Sequence, residues 1–134
     1  MEHTYIATQK FAKMTPRKLR LVADSVRKMK PSEAIEILPF SPRFAAEPLN
    51  KVIKTAVANA KQGGADESKL VFSEIQISQG PALKRGYLVS RGQWHPFKKR
   101  MSHIRVVLKE QQNVEEKKDL NKKGDSRLRV ATAS

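Results

Sequence analysis

The sequence predicts a mixed domain in which one early strand and three helices precede two longer strands. Apolar residues recur at helical spacing in three segments between Pro16 and Gly63, and they alternate with other residues in three further segments. Proline and glycine mark the breaks between these segments. A chain of 134 residues fits one domain that buries most of its apolar side chains.

The first three elements follow from alternation and from helix start and stop signals. Alternating side chains predict a short strand over Tyr5–Phe11. Thr15 before Pro16 is typical of a helix N-cap and first helical position, so a first helix is expected from Pro16 to about Met29. A second, short helix begins at Pro31 and stops at Pro39, which lacks the donor that the next turn needs.

The third helix carries the cleanest apolar stripe, from Ala45 to Ala60. Ser41-Pro42 is a cap signal before it, and Gly63-Gly64 is a suitable C-cap after it. Pro48 lies inside the stripe, where it would cost ~3 kcal/mol in a helix interior. We therefore expect a kink or a late start at Pro48.

Two longer strands are predicted around Val71–Ile77 and Ile104–Leu108. The stretch from Pro81 to Arg100 between them is too long for an ordinary structureless loop inside a compact domain. Both strands can instead continue past the body as a hairpin arm, over residues 78–104 approximately. A two-stranded ribbon is marginal alone in water, so such an arm needs a binding partner.

The charge of the chain points to a polyanionic partner. There are 27 Lys and Arg against 13 Asp and Glu, and the formal net charge is +14, which favours nucleic acid. From Ile75 to Lys109 there is no acidic residue, and phosphate suits so basic a surface. A solvated face kept for solubility is the alternative, but solubility does not require the complete loss of acids. The cations of this stretch are Lys84, Arg85, Arg91, Lys98, Lys99, Arg100, Arg105 and Lys109, to which His95 and His103 can add.

Aromatic residues and a second basic patch extend this interpretation. Tyr87, Trp94 and Phe97 are interleaved with the cations, where they suit either stacking on unpaired bases or bracing the hairpin across its strands, and the sequence favours neither.

A second acid-free patch runs from His3 to Ala23. Positive charge in the first turns of helix one opposes the helix dipole, which indicates an external anion unless an exposed turn simply tolerates it. The cations of this patch are Lys10, Lys13, Arg17, Lys18 and Arg20.

Other classes of protein are disfavoured. The absence of cysteine fits a reducing compartment, with the cytosol as the default, and the start of the chain lacks the pattern of a leader, so neither secretion nor membrane insertion is expected. The three histidines, at positions 3, 95 and 103, form no catalytic set, and no phosphate loop or metal-ligand spacing occurs. We expect no enzyme, cofactor or metal site. A free-standing nucleic-acid-binding protein or RNA chaperone is the main alternative to a structural role.

Four motifs follow one another along the chain. They are Pro16-Arg17-Lys18-Leu19-Arg20-Leu21-Val22, Ala56-Val57-Ala58-Asn59-Ala60, Gly80-Pro81-Ala82-Leu83-Lys84-Arg85 and Lys99-Arg100-Met101-Ser102-His103-Ile104. Their order and spacing resemble a bacterial ribosomal protein family, the twenty-second protein of the large subunit. This resemblance covers roughly residues 4 to 109 and implies an α+β fold, with three helices packed on a three-stranded antiparallel sheet and a long protruding β-hairpin that lines the peptide exit tunnel. Implied partners are large-subunit ribosomal RNA, neighbouring ribosomal proteins and, near the tip, the nascent polypeptide.

The resemblance also assigns candidate residues. Arg17 and Lys18 would contact RNA from the body, and the hairpin stem would contact it through Lys84, Arg85, Lys99, Arg100, Ser102 and His103. Further cations from the two acid-free patches complete the expected RNA-binding set; they are Lys10, Lys13, Arg20, Arg91, Lys98 and Arg105. The expected tip comprises Tyr87, Arg91, Gly92, Trp94, His95 and Phe97, where the family usually has a denser set of arginines. Residues 1–110 would form the RNA-binding domain. Residues 111–134, with little apolar surface, would form a flexible basic tail.

Overall fold

The computed structural model describes residues 3–111 and confirms the α+β fold. The strands form one antiparallel sheet in the order β1-β3-β2. The tail predicted over residues 111–134 lies, apart from residue 111, outside the described residues. The elements are β1 (Thr4–Ala12), α1 (Pro16–Val26), α2 (Pro31–Ile37), α3 (Ala46–Gln62), β2 (Leu70–Leu88) and β3 (Trp94–Glu110), and short 3₁₀ turns cover Leu38–Phe40, Glu67–Lys69 and Ser90–Gly92.

The core lies between the helices and one face of the sheet. Ile104, Val106 and Leu108 alternate along β3 and are fully buried, together with Leu19 of α1 and Ile53 of α3. Burying each such side chain contributes about 1.5–3 kcal/mol. Because neighbouring strand residues point to opposite faces, His103 and Arg105 of β3 lie on the face that the helices leave open.

Prolines set the helix boundaries. Helix α3 begins at Ala46, so Pro48 falls in its first turn, where a backbone donor has no partner inside the helix; the expected late start is confirmed. The expected cap at Ser41-Pro42 is wrong, since the N-cap is Ala45. A helix beginning at residue 42 would have placed Pro48 in its interior. Helix α1 ends at Val26 rather than Met29, and Lys30 before Pro31 is extended, as the residue preceding a proline prefers.

Two bulges shape the long hairpin. In β2 one extra residue lies between Phe72 and Glu74, and another lies between Gln79 and Ala82. A bulge bends its strand and increases the local twist, so the second one marks the place where the hairpin leaves the body. Beyond it, the β3 segment 94–100 is exposed throughout. The 19 residues of β2 span about 60 Å at about 3.3 Å per residue, and the predicted arm is confirmed.

Side chains from the helices cover the outer edges of the sheet. Arg20 of α1 donates to the carbonyl oxygen of Ile77 of β2 at 3.1 Å, and Arg27, the C-cap of α1, donates to that of Ile75 at 3.3 Å. On the other edge, the side-chain amide of Asn59 donates to the carbonyl of Ile6 at 3.0 Å. These bonds satisfy carbonyls that an edge strand would otherwise offer to another chain.

Candidate nucleic-acid interface

The hairpin register gathers three cations on one face of the stem. Lys84 pairs directly with Lys98, and Ala82 pairs with Arg100, so Lys84, Lys98 and Arg100 share a face; we call these three residues the stem cluster. In the described part of the chain none of them has an acidic partner. Like charges directly opposite each other destabilise a strand pair. An external anion would remove that repulsion.

The opposite face of the stem combines two cations with aromatic rings. Arg85 pairs with Phe97, and Leu83 pairs with Lys99. The ring of Tyr87 stacks on its cross-strand partner His95 with 5.9 Å between centroids, and it lies tilted against Phe97 at the same separation. These contacts brace the two strands. Tyr87 nevertheless remains 57% exposed, so the bracing role leaves aromatic surface accessible.

Trp94 lies on the stem-cluster face and covers Gly86. A Cβ atom added to Gly86 would lie 2.1 Å from Cζ2 of Trp94, so the ring occupies the space that a side chain would need. An aromatic ring over a strand glycine stabilises the ribbon locally. The indole is still 60% exposed. The aromatic residues of the hairpin thus brace its two strands. The sequence alone could not distinguish this role from stacking on RNA.

A tight turn places Arg91 at the apex of the hairpin. The amide of Val89 donates to the carbonyl of Gln93 at 2.8 Å and closes the turn. Arg91 and Gly92 both have left-handed backbones, with φ of 63° and 69°. Glycine adopts this conformation freely, whereas an arginine pays a steric cost for it. The Arg91 side chain is exposed.

Ser102 and His103 lie on opposite faces of β3. Ser102 is fully buried on the helical face, and its hydroxyl donates to the carbonyl of Met14 at 2.5 Å. The strand alternation turns Ser102 into the core, so its side chain is buried where the resemblance implied a contact with RNA. His103 lies on the open face, half-buried, and its Nδ1 accepts from the amide of Phe11 at 3.1 Å. That bond leaves Nε2 of His103 for another partner.

The predicted body patch is exposed and borders the start of α1. Lys10 lies near the end of β1 and Lys13 directly after that strand, and Arg17 and Lys18 lie in the first turn of α1, which holds no acidic residue. Arg20 is exposed as well, but it also holds the β2 edge, a structural role that the charge pattern did not reveal. Arg105 lies on the open sheet face between Thr8 and Gln76.

The acidic side chains that form ion pairs lie on the body, away from the hairpin arm. Asp24 pairs with Arg27 at the end of α1, and Glu47 pairs with Lys51 on α3. In the turn after α3, Glu67 pairs with Lys61 of that helix and Asp66 pairs with Lys69. A hydrogen bond and the nearby charge of Lys51 lower the pKa of Glu47, and Lys69 lowers the pKa of Asp66 in the same way. Within residues 3–111 these carboxylates thus pair with lysines and an arginine of the body and with none of the stem cluster.

Residues 3–111 contain no helix that is long and apolar enough to cross a membrane. No group of three or more His, Asp or Glu side chains in this range is arranged to hold a metal ion.

Comparisons with known proteins agree with this geometry. The family model described as ribosomal protein L22p/L17e matches residues 7–109. Large ribosomal subunit protein uL22 of Pediococcus pentosaceus is 43% identical over 107 residues, which cover 79% of this chain and 91% of that protein. The uL22 protein of Clostridium acetobutylicum is 42% identical over 105 residues, which cover 78% and 95%. That of a Thermotoga strain is 39% identical over 111 residues, which cover 82% and 70%.

Proposed function

Because the chain belongs to the ribosomal protein L22p/L17e family, whose members are structural constituents of the ribosome, we propose that it binds large-subunit ribosomal RNA and supports subunit assembly. Its place is then the large subunit of cytoplasmic ribosomes, beside neighbouring ribosomal proteins. Family membership also agrees with the expectation that the chain is not an enzyme.

The stem cluster is the observation that carries the RNA-binding proposal. Among residues 3–111, Lys84, Lys98 and Arg100 lie together without an acidic partner, on a ribbon that has no second layer to pack against. Phosphate groups supply both the missing countercharge and a surface for the ribbon, through charge-assisted hydrogen bonds and counterion release. Lys99 and Arg85 give the opposite face the same chemistry, so the hairpin can contact RNA on both sides.

The body patch provides a second contact with the RNA. Lys10, Lys13, Arg17 and Lys18 present exposed charge that no acid of the first turn of α1 offsets. Nε2 of His103 and the guanidinium of Arg105 add donors on the open sheet face. Contacts from both the body and the arm would fix the orientation of the hairpin on the RNA.

The hairpin, in this proposal, runs along the wall of the polypeptide exit tunnel. Beyond the second bulge the ribbon continues over Ala82–Leu88 of β2, about 23 Å at about 3.3 Å per residue, and its apex presents Arg91 beside Gly92. Tyr87, His95, Phe97 and Trp94 lie just behind the apex, where they would meet both RNA and a nascent polypeptide. The tip carries fewer cations than is usual in the family, so aromatic surface takes a larger share of these contacts.

Residues 1–110 would suffice for RNA binding, with 111–134 as an accessory tail. A chain that ends at Glu110 is expected to bind ribosomal RNA within about threefold of the full chain. A larger loss would assign RNA contacts to the tail.

Cosedimentation tests the ribosomal proposal against its main rival. The full chain should remain with large subunits in moderate salt and should bind ribosomal RNA more tightly than duplex DNA of equal length. A free-standing nucleic-acid-binding protein or RNA chaperone would leave the subunit fraction and bind duplex DNA equally well. That second result would contradict the proposal.

A further inference from the structure

A groove on the body lies between two exposed phenylalanines. Phe11 at the end of β1 is 57% exposed, and Phe44 before α3 is 85% exposed. Both side chains line a groove of about 630 Å³, which Met14 and Pro48 also line. This volume is in the range of ~300–1,000 Å³ that is usual for sites of small organic ligands.

Phe11 is held in an unfavourable conformation that exposes its ring. Its φ of 58° is in the left-handed region, which is uncommon for a bulky side chain. The pairing of β1 with β3 is interrupted between Gln9 and Ala12, and the Phe11 amide donates to Nδ1 of His103. The His103 ring also meets the Phe11 ring edge to face at 5.1 Å. Backbone strain of this kind tends to occur at functional sites, where the surrounding structure maintains it.

The charges around the groove identify its occupant. Lys13 lines the groove and has no acidic partner among residues 3–111, whereas Glu47 and Lys51 neutralise each other at 2.6 Å. Arg43 immediately precedes Phe44. An apolar peptide would not need an uncompensated cation beside the aromatic rings. A nucleotide needs both, since its base stacks on aromatic side chains and its phosphate pairs with a cation.

We propose that this groove binds one unpaired nucleotide of RNA, with the base stacked on Phe11 or Phe44 and the phosphate held by Lys13. His103 acts here as a positioning residue, because it fixes the backbone and ring of Phe11. The proposal rests on ribosomal RNA being the partner, and it names a single-stranded element of that RNA as the ligand of this part of the body.

The test compares variants of the full chain for binding to large-subunit ribosomal RNA over a range of salt concentrations. Phe44→Ala should weaken binding about 5- to 100-fold, the usual range for one lost base stack. Because stacking releases no counterions, the dependence of affinity on salt should keep its slope. Phe44→Trp should retain the affinity. Phe40→Ala is the matched control, since Phe40 is 88% exposed but does not line the groove.

Two more variants separate the possible outcomes. Phe11→Asn removes the second ring with a residue that tolerates a positive φ, and it should weaken binding with an unchanged slope. Full affinity in both Phe44→Ala and Phe11→Asn would overturn the groove proposal, and so would an equal loss in Phe40→Ala. If those variants bound RNA normally but left assembled subunits, the groove would belong to a protein neighbour. Failure of the unmodified chain to bind large-subunit ribosomal RNA would instead refute the proposed function itself.

Discussion

Neutralising Lys98 should have opposite effects on the free protein and on its complex with RNA. In the free hairpin, Lys98 directly opposes Lys84. Two unit charges about 7 Å apart in water repel each other by about 0.6 kcal/mol, and salt reduces this further. Lys98→Gln should therefore leave the free protein unchanged or stabilise it by a few tenths of a kcal/mol. In the complex the same change removes a phosphate contact.

The loss of that contact has a calculable size. One phosphate contact contributes about 0.7–0.9 to the slope of log K against log salt, so its removal should lower affinity about sixfold in ~0.1 M salt. Filter binding of large-subunit ribosomal RNA over a series of potassium chloride concentrations measures both quantities. Urea unfolding of the free protein, followed by helical circular dichroism, measures its stability.

The control for Lys98→Gln is Lys61→Gln. It removes the same charge from a lysine that Glu67 already neutralises at 2.7 Å. This control should leave the slope unchanged. An unchanged slope in Lys98→Gln would refute phosphate binding by the stem cluster. Equal changes in both variants would mean that net charge, rather than the position of Lys98, governs affinity.

Three further predictions concern the body and the hairpin separately. Ser102→Ala should lower the free energy of unfolding by about 1–3 kcal/mol, because it leaves the carbonyl of Met14 without its donor. It should not alter the salt dependence of RNA binding; an altered slope in a folded variant would place Ser102 in the RNA interface. Gly86→Ala should displace the ring of Trp94, the single tryptophan of the chain, and shift its fluorescence; an unchanged spectrum would contradict their close packing. Glu47 and Asp66 have folded-state pKa values below their ordinary values of 4.5 and 3.8, so each contributes stability at neutral pH that is lost as the pH falls through its lowered pKa. Both carboxyls are exposed, so the effect should be small; urea unfolding at pH 7 and pH 3 should show a smaller decline in Glu47→Gln than in the unmodified chain, and an equal decline would contradict the assignment.

Much of the architecture could be predicted from local patterns. The length of the stretch from Pro81 to Arg100 predicted a hairpin arm, because few other structures accommodate so many residues between two strands. Pro48 predicted the late start of α3, since a proline is tolerated only in the first turn. These features depend on residues close together in the chain.

Other features depend on register and could not be read from the sequence. The burial of Ser102 follows from which face of β3 the helices cover, and the motif that contains it gives no sign of this. The two bulges in β2 shift its register against β3, so that Lys84 pairs with Lys98 and not with a residue next to Lys98. The second role of Arg20, at the β2 edge, needs the packing of α1 against the sheet. Phe11 was expected only as the end of a strand, and its positive φ became visible with the fold.

Site-directed cleavage of ribosomal RNA from the hairpin tip tests the central claim most directly. The chain has no cysteine, so Ser90→Cys creates a unique attachment point for an iron chelate beside the apex, and Ser32→Cys on α2 serves as the body control. In assembled large subunits, hydroxyl radicals from position 90 should cleave large-subunit RNA at sites that differ from those cleaved from position 32. The absence of cleavage from position 90, or the same sites from both positions, would contradict a hairpin that extends along ribosomal RNA away from the body.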